Sequence, residues 1–147
     1  SNELLTANET ISTANTLIGS GVPFASTIQQ NATAVGSAYF PNWKLVFRGV
    51  ADIVPEEGAM LPVGIWEVTD KCLQSLDIYE GVKGGLYRRV NINGMISYRM
   101  NGDYIQLPAD FYYEGIQRGY FDFDLDETYL WGAYLDAKRV TEERENV

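Results

Sequence analysis

The chain has 147 residues, a formal charge of −9 and no histidine. This length suits a single domain with a substantial core. Only 11 Lys and Arg stand against 20 Asp and Glu, which argues against a nucleic-acid partner, because phosphate binding needs clustered basic side chains. The lack of histidine excludes Ser-His-Asp and Cys-His catalysis and the usual zinc hydrolase sites.

The remaining proton carriers are carboxylates first, with Tyr, Lys or Cys72 as less common choices. Cys72 is the single cysteine, so an internal disulfide is excluded, and we interpret it as a small buried residue on a helix. No apolar run approaches the roughly 18 residues of a membrane span. The start also lacks the basic and apolar regions of a signal peptide. We therefore expect no membrane partner and a cytoplasmic location.

Residues 1–16 are polar, with Glu3 and Glu9 as their only charges, and are predicted to form an arm rather than a core strand. The short apolar stretch of residues 16–18 runs into Gly19, Ser20 and Gly21. Glycine supplies the backbone freedom of a tight turn, so this stretch predicts a strand that ends in a loop.

The clearest strand signals lie between residues 43 and 100. Residues 43–53 alternate in part and predict one long strand, and the Pro-Glu-Glu-Gly sequence of residues 55–58 predicts a turn. Residues 63–68 are nearly all apolar, which is typical of a central strand. Asn93-Gly94 is a strong hairpin signal between the last two predicted strands, residues 87–92 and 95–100.

Three helices are predicted. The first is capped by Thr69 or Asp70 and ends at Gly81. Its core-facing stripe comprises Cys72, Leu73, Leu76 and Tyr79. The others span residues 109–119 and 127–138, and the polar residues 141–147 are predicted to be a frayed tail. This order of elements predicts one α+β domain over residues 17–140, with a mixed or antiparallel sheet that curls toward a barrel.

Glu80 stands at the end of the first predicted helix, directly before Gly81, and Tyr87 opens the next strand. The negative pole of the helix disfavours ionisation of a carboxylate there, which suits a proton shuttle at neutral pH. Spacing alone leaves open a solvated glutamate at a helix end. Glu80 is therefore a candidate general base with a simpler alternative.

Residues 76–87, with the pattern Leu-Asp-x-Tyr-Glu-Gly-Val…Leu-Tyr, resemble the signature of the γ-glutamylcyclotransferases and their AIG2-like relatives. Three other segments fit the same pattern in the same order: Trp-Lys-Leu-Val-Phe-Arg-Gly-Val-Ala-Asp at residues 43–52, Pro-Val-Gly-Ile-Trp-Glu-Val at residues 62–68, and Tyr-Arg-Met-Asn-Gly at residues 98–102. The resemblance covers about residues 34–138.

The resemblance implies a reaction without cofactor or metal. The α-amine of a small γ-glutamyl substrate attacks its own γ-carbonyl, closes 5-oxoproline and releases an amine or amino acid. By motif position Glu80 would act as general base and then as general acid. Family tyrosines that line the cavity correspond to Tyr87, Tyr98 and Tyr112. Their alternatives are ordinary strand aromatics for the first two and a core aromatic on a helix for Tyr112.

The family also carries a Tyr-Gly-Ser-Asn loop, whose backbone amides hold the substrate's α-carboxylate. Its best match is Ile18-Gly19-Ser20-Gly21, in which the tyrosine and the asparagine are replaced. This departure keeps two further interpretations open. One is a non-catalytic structural module, such as a phage-type assembly component, attached to a protein partner through residues 1–16. The other is a binding protein that sequesters a small anionic or amino-acid-like ligand.

Overall fold

From residue 32 onward, the strands and helices follow one another in the order that the sequence predicts. A computed structural model describes residues 2–7 and 32–146. The strands in these ranges are β1 (Asn2–Ala7), β2 (Ala32–Phe47), β3 (Ala51–Thr69), β4 (Tyr87–Ile92) and β5 (Met95–Met100). The helices are α1 (Asp70–Tyr79), α2 (Asp110–Asp122) and α3 (Glu127–Glu145).

The described strands form one sheet in the order β2-β3-β1-β5-β4. β1 and β5 are parallel, whereas the other neighbours are antiparallel. The predicted α+β class with a mixed sheet and flanking helices is therefore confirmed.

β1 lies in the middle of this sheet. It pairs with β3 at six positions, from Asn2 opposite Thr69 to Ala7 opposite Gly64, and with β5 at Leu5. The prediction that residues 1–16 form an arm rather than a core strand is therefore wrong for Asn2–Ala7. Composition misleads here because the polar residues that follow β1 mask a short strand, Asn-Glu-Leu-Leu-Thr-Ala, that is held by main-chain pairing to its neighbours. The strand and loop predicted for residues 16–21 lie outside the described residues.

The prediction of one long strand over residues 43–53 is wrong as well, because the stretch contains the turn of a hairpin. β2 ends at Phe47 and β3 begins at Ala51. Gly49 has φ of 80°, a left-handed conformation that glycine adopts without strain, and the N–H of Arg48 bonds to the carbonyl of Val50 at 2.8 Å. The apolar pattern continues across this turn because both strands of the hairpin are buried.

The turn predicted at residues 55–58 is a bulge inside β3, so that prediction is also wrong. Pro41 pairs with Met60 and Trp43 with Pro55, which leaves Asn42 opposite residues 56–59. Asn42 adopts φ of 67°, and its side-chain oxygen accepts the N–H of Gly58 at 3.0 Å. The turn residues therefore bend the strand without reversing it.

The sheet curls because the first part of β3 reaches β5 beyond the end of β1. Asp52 Oδ1 accepts the N–H of Met100 at 2.8 Å, and Arg99 Nε donates to the carbonyl of Ile53 at 3.1 Å. Parallel pairing of Leu5 with Ile96 sets the last residue of β1 level with Tyr98. β3 and β5 therefore approach each other where β1 ends.

The helices follow the predicted pattern, with one difference in length. Thr69 caps α1, since its hydroxyl accepts the N–H of Cys72 at 3.1 Å. α3 continues to Glu145, so residues 141–145 of the predicted frayed tail are helical. Its last turns carry two i,i+4 ion pairs, Lys138–Glu142 at 4.0 Å and Arg139–Glu143 at 3.1 Å, which favour the helix. None of the described helices combines the length and the hydropathy that crossing a bilayer requires.

Two buried clusters lie on opposite faces of the sheet. The larger is formed with α2 and α3, and includes Phe47, Leu61, Ile116, Tyr120 and Leu130. The smaller is formed with α1 and comprises Val68, Cys72, Leu73, Leu76, Tyr87 and Tyr98. Tyr98 belongs to the smaller cluster and Met95 packs against the larger one, as side-chain alternation along β5 requires. The smaller cluster contains the residues of the predicted site.

Candidate active site

The C-terminus of α1 fixes the position of Glu80. The N–H of Gly81 bonds to the carbonyl of Ile78 at 3.1 Å, and the N–H of Val82 to that of Asp77 at 3.0 Å. These two bonds, with Gly81 at φ of 64°, form a Schellman motif whose C-cap is Glu80. Glu80 is only 5% exposed. A solvated glutamate at a helix end, the simpler alternative, is therefore wrong.

Tyr98 and Arg89 both bind the carboxylate of Asp77. The Tyr98 hydroxyl donates to Oδ1 at 2.7 Å, and Arg89 donates to Oδ1 from Nε at 2.8 Å and to Oδ2 from Nη2 at 2.5 Å. Burial opposes ionisation of Asp77, but the hydrogen bonds from Arg89 and Tyr98 outweigh it and lower its pKa. Asp77 is therefore an ionised anchor that ties α1 to β4 and β5.

Tyr98 remains a neutral phenol at physiological pH. Burial is the largest cause of its raised pKa, followed by its hydrogen bond to Asp77 and the charge of that carboxylate. The coulombic effect of Glu80 is the smallest of the causes that raise the pKa of Tyr98. Because its proton is donated to Asp77, the Tyr98 oxygen offers lone pairs rather than a proton to other groups.

Both backbone polar groups of Ala51 form a hydrogen bond with a tyrosine hydroxyl. Tyr87 donates to the carbonyl at 2.6 Å, and the N–H of Ala51 donates to the hydroxyl of Tyr112 at 2.9 Å. Tyr87 lies in the smaller cluster with Tyr98, whereas Tyr112 lies on α2 in the larger cluster. The structure thus brings Tyr87 and Tyr98 together and places Tyr112 across the sheet.

Beside these residues lies a buried ion pair that the sequence analysis does not identify. Arg48 Nε donates to Asp52 Oδ2 at 2.7 Å, and Asp52 Oδ1 accepts the N–H groups of Ile53 and Met100, both at 2.8 Å. The Asp52 side chain is 1% exposed and that of Arg48 is 10% exposed. The only signal in the sequence is two opposite charges four residues apart in an apolar run. This pair fastens β3 to β5 at the end of β1.

The predicted carboxylate loop, Ile18-Gly19-Ser20-Gly21, lies outside the described residues. The described part of β1 ends at Ala7, which the parallel register with β5 sets level with Tyr98. Its role in substrate binding stays a prediction.

Cys72 and the acidic residues offer no second centre within the described ranges. Cys72 is buried, and burial raises the pKa of its thiol to about 11, so a thiolate nucleophile is disfavoured at neutral pH. Among residues 2–7 and 32–146 no group of three or more His, Cys, Asp or Glu side chains is placed to hold a metal ion.

The family model for gamma-glutamyl cyclotransferase, AIG2-like proteins matches residues 16–118. The chain therefore belongs to this family. No curated protein sequence matches it.

Three solved structures share the fold. A gamma-glutamyl cyclotransferase is 21% identical, with 90% of this chain and 86% of that chain covered and a TM-score of 0.70. An uncharacterized human protein, loc79017, has the same identity and coverage and a TM-score of 0.72. YkqA from Bacillus subtilis is 15% identical, with 99% of this chain and 55% of that chain covered and a TM-score of 0.68.

Proposed function

We propose that the protein is a γ-glutamyl cyclotransferase, which releases 5-oxoproline from a small γ-glutamyl amine or peptide. The observation that carries this proposal is the burial of Glu80 at the C-terminus of α1, in a member of this family. The same helix packs in the smaller cluster with Tyr98. A buried carboxylate at this place can exchange a proton with a bound amine, and glutamate side chains are rarely buried in this way.

In the proposed reaction the α-amine of the substrate attacks its own γ-carbonyl carbon. A C–N bond closes the five-membered ring while the C–N bond to the leaving amine breaks. Glu80 takes the proton that the attacking nitrogen loses and delivers one to the leaving nitrogen, so no cofactor is needed. Because the attack is intramolecular, much of the acceleration comes from holding the two reacting atoms in contact.

Tyr98 and the predicted loop have separate parts in this proposal. The Tyr98 hydroxyl donates to Asp77, which leaves its oxygen to accept a hydrogen bond from the substrate's amine. The backbone amides of Gly19, Ser20 and Gly21 would hold the α-carboxylate at the other end of the substrate. Ile18 and Gly21, which stand where the family has tyrosine and asparagine, would change the affinity for the substrate, whereas Glu80 would act in the chemical step.

The test is 5-oxoproline release from a panel of γ-glutamyl amino acids, amines and peptides. Wild type should release it, and Glu80→Gln should slow release by about 100- to 10,000-fold, the usual contribution of general acid–base catalysis. Glu57→Gln is the matched control, since Glu57 is exposed in the bulge of β3 and the chemical change is the same. Circular dichroism of each variant establishes that it is folded.

If folded wild type releases no 5-oxoproline from any member of the panel, the proposal is wrong. Calorimetry with the same compounds then distinguishes the alternatives. Tight binding that survives Glu80→Gln would indicate a protein that sequesters its ligand. A structural module attached through residues 1–16 would bind none of them, and Asn2–Ala7 already pairs along its main chain with β3 and, at Leu5, with β5.

A further inference from the structure

A groove between α2 and α3 lies on the face of the sheet opposite the candidate active site. Its volume is about 260 Å³, and it is lined by Asp110, Tyr113, Glu114, Gln117, Trp131 and Tyr134. The four residues of α2 recur at i, i+3, i+4 and i+7, and the two of α3 at i and i+3, so each helix contributes a single face. We call it the aromatic groove.

Three rings form the apolar part of the aromatic groove. Trp131 and Tyr134 are stacked, with centroids 5.2 Å apart and planes 9° from parallel. Tyr113 meets Tyr134 edge-on, at 5.2 Å and 70°. Trp131 is 52% exposed, so the outer side of this stack is open to solvent. The faces of such rings carry the negative part of the aromatic quadrupole, which attracts a cation.

Carboxylates form its charged part. Asp110 and Glu114 line the groove. Burial is the largest cause of the raised pKa of Tyr113, and the charge of Glu127, which does not line the groove, raises it further. None of these three carboxylates forms an ion pair with another residue of the described part of the chain. No Lys or Arg lines the groove, so the charged side chains that line it are all acidic.

The usual preferences of helices account for only part of this arrangement. Asp110 and Glu127 stand in the first turns of α2 and α3, where the helix dipole favours acidic residues. Glu114 lies beyond the first turn of α2. Tyr113 and Tyr134 pack in part against the larger cluster, whereas Trp131 is not part of that cluster and is half-exposed.

We propose that the aromatic groove binds an alkylammonium group. The ring faces attract the charge and accommodate the alkyl stem, while Asp110 and Glu114 accept hydrogen bonds from the ammonium. An anion would be repelled by the carboxylates, and a purely apolar ligand would leave them without a partner. The group comes either from a free small amine or from a lysine side chain, and this site is separate from the one that contains Glu80.

The test is a titration of the whole chain with n-butylammonium chloride, followed through the indole N–H signals in 15N NMR spectra. n-Butanol serves as the uncharged probe of similar shape. The Trp131 signal is identified from its loss in Trp131→Phe, and those of Trp43 and Trp66 are internal controls. We expect a saturable shift of the Trp131 signal with the cation and none with the alcohol.

Two variants and one control locate the site. Glu114→Gln and Trp131→Leu should each weaken binding by about threefold or more, as the loss of a charge partner or of a cation–π contact predicts. In Trp131→Leu the ring signal is absent, so its binding is followed through the backbone amides of Tyr113 and Tyr134. Glu145→Gln removes the same charge at the far end of α3 and should leave the affinity unchanged.

A shift that is equal with n-butanol, absent with n-butylammonium, or unaffected by Glu114→Gln would overturn the proposal. The two sources of the ammonium are distinguished by a second ligand, N-acetyl-lysine methylamide. Tighter binding of this compound than of n-butylammonium would assign the groove to a lysine side chain of a protein partner. Equal or weaker binding would assign it to a free amine.

Discussion

Replacement of Asp52 by alanine is expected to destabilise the protein severely. Asp52 Oδ2 binds Arg48, and Oδ1 accepts two backbone N–H groups, those of Ile53 and Met100. Alanine leaves a guanidinium that is 10% exposed without its partner and both amides unsatisfied. Loss of one partner from a buried ion pair costs about 3–5 kcal/mol, which is a large share of the roughly 5–15 kcal/mol by which domains are stable.

The two carboxylate oxygens of Asp52 have different partners, so their contributions can be tested separately. Asp52→Asn can keep Oδ1 in place for Ile53 and Met100, but it turns an N–H₂ group toward Arg48 in place of the carboxylate oxygen. We therefore expect a smaller loss of unfolding free energy than for Asp52→Ala. Adding Arg48→Met to Asp52→Asn removes the unpaired charge and should recover part of the loss.

The assay is urea unfolding followed by circular dichroism, with the free energy of unfolding compared among variants. The matched control is Glu56→Ala, which breaks the ion pair with Lys44 at 2.5 Å, whose side chains are 50% and 31% exposed. An exposed pair of this kind contributes at most about 1 kcal/mol. If Asp52→Ala were no more destabilising than Glu56→Ala, the role given to Asp52 as the fastener between β3 and β5 would be refuted.

Three further predictions concern the sheet and the smaller cluster. Gly64→Ala should cost about 1–3 kcal/mol in a thermal melt, because its Cβ would lie 2.7 Å from two ring atoms of Phe123. Tyr98→Phe should cost about 1.5–3 kcal/mol in urea unfolding, because it removes a buried hydrogen bond to the charged Asp77; a change near zero would contradict that bond. Because burial raises the pKa of Cys72, the thiol of the unfolded chain ionises at a lower pH than that of the folded chain. The stability that the protonated thiol contributes to the folded state should therefore be lost between pH 9.0 and about 11. Unfolding measured against pH should lack that component in Cys72→Ala.

The parts of the fold that the sequence predicts well are those with a local cause. The β4–β5 hairpin follows from Asn93-Gly94, whose φ angles of 54° and 82° suit few other residues. The start and end of α1 likewise follow from Thr69 and Gly81. β1 has no such signal, because its six residues lie in a polar stretch of the sequence and pair with the distant strands β3 and β5. The turn at residues 48–50 is hidden for a related reason, since a continuous apolar run does not show where a buried strand reverses.

The candidate site likewise has a part that the sequence predicts and a part that it does not. The place of Glu80 at the end of α1 can be predicted because helix, cap and glycine are contiguous in the chain, whereas its burial cannot. The partners of Asp77 cannot, since Arg89 and Tyr98 lie 12 and 21 residues away and meet it only when β4 and β5 pair. The N–H of Met100, 48 residues from Asp52, is further still from anything a sequence pattern can show. A charged residue in an apolar run indicates that it has a buried partner, but it does not indicate which residue that partner is.

Glu80 and Tyr98 differ in how far a substitution separates an effect on the proposed chemistry from an effect on stability. Tyr98 holds α1 to β5 through Asp77, so its replacement should change stability and turnover together. The backbone at Glu80 is held by hydrogen bonds from the N–H groups of Glu80 and Gly81 to the carbonyls of Leu76 and Ile78. Glutamine at position 80 keeps these bonds and nearly the same volume while it removes the titrating oxygen. A loss of 5-oxoproline release in Glu80→Gln with an unchanged unfolding curve would therefore point to proton transfer rather than to the fold.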